Sequence, residues 1–414
     1  MKTIYLHVGY HKTGTTAIQT LLSANRERLA GAGILYPRAC ERENNPAFCQ
    51  GRSFAHHALP NLLLQERHRE PRMLRAQIDR LPCERVVISS EVFMERFKNE
   101  AAALAALTSL LEGLDVRVLL YLRPQHSLFE SVYNQQVKDS DRTPILDPTA
   151  LPRYYDYLFW IRVWERHFGK GKIIVRPFER EQLLGGNVLA DFLDAIDSPL
   201  RLEDLEVPPD DANPRLNRDA LLFKRMVNAS GSGPRTKAAF TGPLLRYSQG
   251  QSGQGARFAV EHGLLTPAER WAIHVRHKDR NAVIAREYLD REDGRLFFDQ
   301  PPPPGQAKRM DTIGDPLTPA STATIADAVL ADLRPDLDDV RRREALSAAI
   351  VDAALRFIEP AAPSNQAGNE NEKLRTQLAQ NEAALRGLRI RYSEALQQIA
   401  RLTPKAAPRP SSDD

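Results

Sequence analysis

Eight residues near the start of the chain, Gly9-Tyr10-His11-Lys12-Thr13-Gly14-Thr15-Thr16, combine the ingredients of an anion site. They lie between a short β-rich run, Ile4-Tyr5-Leu6-His7-Val8, and a segment in which Ile18, Leu21, Leu22 and Leu29 fall at helical spacing. A turn from strand into helix aims several backbone N–H groups and a helix N-terminus at one point. Glycines let the backbone approach a ligand closely, threonine hydroxyls add donors, and Lys12 neutralises charge. That is chemistry for binding a phosphate or a related oxyanion.

The order of these residues narrows the ligand. The common nucleoside triphosphatase loop, G-x-x-x-x-G-K-[ST], places its lysine directly after the second glycine. Here Thr15 holds that position, and Lys12 stands two residues before Gly14. No clear Walker-B-like aspartate ends the strands that follow, so the usual acidic partner of magnesium is missing. Lys12-Thr13-Gly14-Thr15-Thr16 resembles the 5′-phosphosulfate loop, K-[ST]-G-T-[TS], of sulfotransferases that use 3′-phosphoadenosine 5′-phosphosulfate (PAPS). A second element points the same way. The apolar run Val116 to Leu122 ends at Arg123-Pro124, and Ser131 follows eight residues after the arginine on an expected helix. This pair resembles the 3′-phosphate element of the same family, where an arginine fork and a serine hydroxyl meet the extra phosphate. Ser89-Ser90-Glu91 and Val175-Arg176-Pro177-Phe178-Glu179 also resemble bacterial, carbohydrate-type members. The resemblance covers roughly residues 1–300 and weakens beyond residue 180.

What the resemblance implies is transfer of a sulfuryl group from PAPS to an acceptor hydroxyl, on a glycan or glycolipid. Lys12 would neutralise the bridging oxygen as the adenosine bisphosphate departs. Lys12, Thr13, Gly14, Thr15 and Thr16 would hold the 5′ end of the cofactor, and Arg123 and Ser131 the 3′-phosphate. Glu91 is the expected general base, because it lies just past the C-terminal end of the strand Val86-Val87-Ile88. Carbohydrate-type sulfotransferases commonly use a glutamate, whereas the small-molecule type uses a histidine. His56 and His57 are set aside because they precede that strand, and His11 lies inside the loop. No metal is expected, since no His/Asp cluster stands at ligand spacing. Two other readings stay open. One is a P-loop kinase or nucleoside triphosphatase, disfavoured by the lysine position. The other is a non-catalytic assembly protein that keeps the fold and works through a coiled coil.

The elements that must position these residues follow from periodicity. Near-continuous apolar strands at Ile4–Val8, Val86–Ile88, Val116–Leu122 and Lys172–Arg176 alternate with helices, which predicts α/β architecture: a P-loop three-layer sandwich around a central parallel sheet. Tyr154, Tyr157, Leu158, Ile161, Trp164 and Phe168 line one side of an expected helix. Thr266-Pro267-Ala268-Glu269 is a capping box that opens a helix to about Leu289. The prolines at 301–304 mark an edge, so residues 1–300 are expected as the sulfotransferase domain and 301–364 as a Pro-rich linker with helical segments. Leu374, Leu378, Leu385, Leu388, Tyr392, Ile399 and Leu402 fall on a and d positions, which predicts a coiled coil over 365–403, a C-terminal extension suited to a homodimer or an assembly partner. Residues 404–414 are expected to be a disordered tail.

Bulk properties exclude some classes. Fifty-seven basic and 53 acidic side chains leave a net charge of +4, too weak a bias for a nucleic-acid binder. Three cysteines at 40, 49 and 83 cannot all pair, so free thiols in a reducing compartment are expected. No run of about 18 apolar residues suggests a membrane span, and the N-terminal residues lack a signal-peptide pattern. The expectation is a cytoplasmic protein.

Overall fold

The computed structural model describes residues 2–44, 53–97, 101–139, 142–144, 147–149, 151–207, 215–252, 264–306, 317 and 319–332. The coiled coil expected at 365–403 and the tail at 404–414 lie outside them.

In chain order, β1 (Thr3–His7) leads into α1 (Thr15–Ala24) and α2 (Arg26–Gly31), then β2 (Ile34–Leu35), β3 (Arg42–Glu43) and β4 (Phe54–Ala55). Next come α3 (Ala58–Leu64), α4 (Arg69–Arg80), β5 (Arg85–Ser89), α5 (Val92–Arg96), α6 (Ala101–Leu110) and β6 (Asp115–Leu122). Then follow α7 (Gln125–Asp139), α8 (Tyr157–Phe168), β7 (Ile173–Pro177) and α9 (Val188–Ala195). The remainder is helical: α10 (Arg218–Ala229), α11 (Pro234–Ala239), α12 (Thr241–Ser252), α13 (Pro267–Leu289) and α14 (Pro319–Ala331).

The described residues fall into two compact units. The first comprises Met1–Val132, Asp147–Pro214 and Leu265–Arg309 and contains every strand. Its five-stranded sheet has the order β2-β5-β1-β6-β7, and every pairing is parallel. β1 is central, so Ile4, Tyr5, Leu6 and His7 are all buried, as a strand covered on both faces requires. Tyr5, Val87, Leu119 and Tyr121 pack with Ile18, Leu21 and Leu22 of α1 and Phe192 of α9. α8 packs on β6 and β7, and α13 also rests on β7. This is the three-layer α/β sandwich expected from the sequence.

Parallel strands present their C-terminal ends at one edge, and the strand order makes that edge informative. The chain turns to one side of β1 to form β2 and β5 and to the other to form β6 and β7. Ligands of open α/β sheets bind at such a switch point. The segments that leave this edge from β5, β1, β6 and β7 carry Glu91, the Gly9–Thr16 loop, Arg123 and Phe178 respectively.

Several boundaries differ from expectation. α8 starts at Tyr157 rather than Tyr154, because Asp156 caps it by accepting from the Phe159 N–H at 3.2 Å, while Arg153–Tyr155 forms a 3-10 turn. β2 and the antiparallel pair β3–β4 are two residues long each, too short to show a period. α14, one of the helical segments expected within 301–364, begins at Pro319, with proline in the first turn where its missing N–H costs nothing. The capping box of α13 forms as read: Thr266 Oγ1 accepts from the Glu269 N–H at 3.2 Å, and Glu269 Oε2 accepts from the Thr266 N–H at 2.7 Å.

The second unit comprises Tyr133–Leu146, Arg215–Leu264 and Met310–Asp414. Its described residues pack α12 against α10 and α14, and Arg246 pairs with Asp332. Among all the described residues, no helix is long and apolar enough to cross a membrane.

Candidate functional site

The loop after β1 is built around two left-handed residues. Lys12 has φ 68° and Gly14 has φ 80°, and between them Thr13 turns inward so that its Oγ1 donates to the Tyr10 carbonyl at 2.6 Å. A lysine in this region is unusual, at a cost of about 1–2 kcal/mol. Gly14 precedes α1, and no side chain caps the helix start. Its α-carbon also sits close to neighbours. A β-carbon there would stand 3.1 Å from Val188 Cγ1 and 3.2 Å from the Phe178 ring. Gly14→Ala is therefore expected to lower stability by roughly 1–2 kcal/mol from the backbone alone and to weaken anion binding. A urea melt checks the first effect and phosphate-competition calorimetry the second.

Aromatic side chains brace the loop from below. The Tyr10 ring meets Tyr154 and Tyr157 edge-on, with centroids 5.0 and 4.7 Å away. Tyr154 Oη accepts from the His11 N–H at 3.2 Å, and Tyr157 Oη donates to the Arg123 carbonyl at 2.6 Å. Two residues of the stripe expected from the sequence, Tyr154 in the 3-10 turn and Tyr157 on α8, thus also tie the loop to the end of β6.

Arg123 reaches the loop directly. Its Nη1 donates to the Lys12 carbonyl at 3.1 Å, its Nε donates to Ser127 Oγ at 2.9 Å, and the guanidinium lies over the Phe178 ring, 5.9 Å from the centroid. Ser127 and Ser131 are four residues apart on α7 and share one helix face. Ser131 is buried, and its Oγ has no hydrogen-bond partner among the described residues. A buried orphan hydroxyl is costly, so this one fits a site that accepts a further group. Ser127 was missed from the sequence, although its spacing from Arg123 and Ser131 was there to read.

Glu91 lies on the other side of the loop. It immediately precedes α5 but does not cap it; Ser90 does, with its Oγ accepting from the Val92 N–H at 3.2 Å. The carboxylate turns instead to Gln19 of α1, whose Nε2 donates to Oε2 at 2.9 Å. His57 Nδ1 lies 4.0 Å from the same oxygen, and His11 Nδ1 lies 4.0 Å from Oε1. Burial pushes the Glu91 carboxyl up, but the positive charges that His57 and His11 carry when protonated, with the Gln19 hydrogen bond, outweigh it and hold the group below the usual carboxylate range. The structure therefore sets Lys12, Thr13 and Gly14 in the loop and Thr15 and Thr16 in the first turn of α1, with Arg123 reaching the loop at the Lys12 carbonyl and Glu91 lying 4.0 Å from His11.

His57, set aside in the sequence, faces Glu91, whereas its neighbour His56 does not. His56 is fully buried, with Nε2 3.0 Å from the Pro37 carbonyl and Nδ1 accepting from the Ser89 N–H at 3.2 Å. Burial lowers its pKa to about 3, so it stays neutral and structural. His7, beneath the loop, is lowered to about 4 by the same cause and shares a 2.9 Å hydrogen bond with Ser89 Oγ.

No family model matches the chain. An uncharacterized protein of Archaeoglobus fulgidus is 31% identical over 212 residues, 49% of this chain and 54% of that protein. The chain thus spans about half the length of that relative. A crystal structure of a sulfotransferase from Alicyclobacillus acidocaldarius aligns with 58% of this chain and 95% of its own, at 14% identity and a TM-score of 0.32.

Proposed function

We propose that the chain transfers a sulfuryl group from PAPS to an acceptor hydroxyl, on a carbohydrate or glycolipid. The observation that carries this reading is the hydrogen bond from Arg123 to the Lys12 carbonyl. It joins the two elements to which we assign phosphate binding, 111 residues apart in the chain, at one edge of the sheet, as binding of a 3′-phosphorylated, 5′-activated nucleotide would require.

When bound, the cofactor supplies the activated sulfuryl group. The residues of the chain then divide the work. The loop and the N-terminus of α1 take the 5′-phosphate, with Thr15 and Thr16 in the first helical turn. Arg123 and the orphan hydroxyl of Ser131 take the 3′-phosphate. Lys12 would neutralise charge on the bridging oxygen as its bond to sulfur breaks and adenosine 3′,5′-bisphosphate leaves, and Glu91 would take the acceptor's proton as the new O–S bond forms. Orientation supplies much of the rate, since this class of transfer asks little covalent chemistry of the protein.

Calorimetry with adenosine 3′,5′-bisphosphate tests the reading. Charged hydrogen bonds contribute about 1.5–3 kcal/mol, so Arg123→Ala is expected to weaken this ligand roughly 10- to 150-fold while leaving adenosine 5′-monophosphate little changed. A preference for ATP over the bisphosphate would favour the kinase reading instead. Absence of nucleotide binding would favour an assembly protein.

A further inference from the structure

Glu91 ends a chain of buried polar side chains whose direction can be deduced. A carboxylate only accepts hydrogen bonds. Gln19 must therefore turn its NH2 to Glu91 Oε2, at 2.9 Å, and the same nitrogen also reaches Ser89 Oγ at 3.2 Å. That leaves the Gln19 carbonyl to accept from Asn44 Nδ2 at 2.9 Å. The second hydrogen of Asn44 Nδ2 goes to Ser53 Oγ at 2.8 Å, so both donors of this amide are used. Its carbonyl then faces His57 Nε2 at 2.8 Å, which must carry a hydrogen. Reversing any amide would set two acceptors against each other in a region where Gln19 and Asn44 are buried.

We propose that Gln19 and Asn44 are positioning residues: they form a one-way hydrogen-bond chain from His57 to Glu91 that fixes the carboxylate's orientation and holds neutral His57 in its Nε2–H tautomer. Two consequences follow. Oε2 is occupied by Gln19, so Oε1, on the side of His11 and the phosphate loop, is the oxygen presented for a proton. The bare His57 Nδ1 faces Ser90 Oγ at 2.9 Å and Glu91 at 4.0 Å, so a proton gained by His57 enters on the carboxylate side. The titratable groups facing this pair are His11 from the loop, His7 from β1, His56 beside His57, and Tyr36 after β2.

The kinetic part rests on Glu91 acting as base; the tautomer does not, and this separates the two. Long-range 15N–1H correlation spectra of the full-length wild type, with His57 identified by comparison with His57→Gln, report which ring nitrogen holds the hydrogen. The expected result for the neutral ring is hydrogen on Nε2 with Nδ1 bare. A neutral ring protonated at Nδ1 overturns the proposal, whatever the enzyme transfers. Asn44→Leu is expected to mix the tautomers and to lower kcat about 10- to 100-fold, with unchanged affinity for adenosine 3′,5′-bisphosphate. Asn44→Asp keeps the acceptor for Nε2–H but opposes the Gln19 carbonyl; it should retain the tautomer and still lose rate. Wild-type kcat in Asn44→Leu would overturn the positioning role. Loss of bisphosphate binding by the wild type would remove the sulfuryl-transfer reading and leave the tautomer result standing.

Discussion

Lys12→Gly is expected to lower the rate of sulfuryl transfer about a thousandfold while leaving the folded state at least as stable as the wild type. The two halves of this expectation have separate causes. Removing one group that stabilises charge developing in a transition state costs about 10²–10³ in rate, and a thousandfold loss corresponds to about 4 kcal/mol of activation free energy. The backbone effects oppose one another. Lys12 holds φ 68°, which glycine adopts without strain. Relief of about 1–2 kcal/mol offsets the roughly 0.5–1 kcal/mol that glycine's freedom in the unfolded chain takes away. Stability should therefore rise by between about 0 and 1.5 kcal/mol, as read by a urea melt. Lys12→Ala retains the strained φ and provides the comparison. A rate within tenfold of wild type in both variants would take the leaving-group role away from Lys12.

The parts of this molecule that could be read from the sequence are those whose signal is local. β1, its turn and α1 are contiguous, so the strand pattern, the glycines and Lys12 announce the loop together. Arg123 and Ser131 are likewise bound to one strand–helix junction, and spacing carries the message. The capping box of α13 is four consecutive residues. What escaped is assembled across the chain. Asn44 follows a two-residue strand, Gln19 looks like any polar residue of α1, and His57 precedes both β5 and Glu91. Their meeting depends on β2 and β5 lying on the same side of β1, a consequence of sheet order that no short window contains. Tyr154 and Tyr157 show the same limit. Helical spacing marks a buried stripe, but only the fold reveals that their hydroxyls hold His11 and Arg123 in place.

Glu91→Gln should be the second large loss, about 10²–10⁴-fold in kcat, the usual range for a positioned general base. The substitution is nearly isosteric, and the new side chain's carbonyl can still accept from Gln19, so bisphosphate affinity should stay within about twofold. The pH dependence gives a sharper test. The folded Glu91 carboxyl titrates below its ordinary value of 4.5, because His57, His11 and Gln19 together outweigh burial. A depressed carboxylate pKa adds stability that is fully present above the ordinary value and is lost as pH falls through the folded one. The rate should follow the same window: the acid limb assigned to Glu91 should lie below pH 4.5 in the wild type. His57→Gln removes the largest stabilising charge while keeping a side chain that can hydrogen-bond to Asn44. In that variant the acid limb should move upward, because burial then meets less opposition. A limb that stays put in His57→Gln would mean that His57 does not act on Glu91. A Glu91→Gln enzyme turning over within threefold of wild type would instead leave His57 or His11, each with Nδ1 4.0 Å from the Glu91 carboxylate, as the proton acceptor.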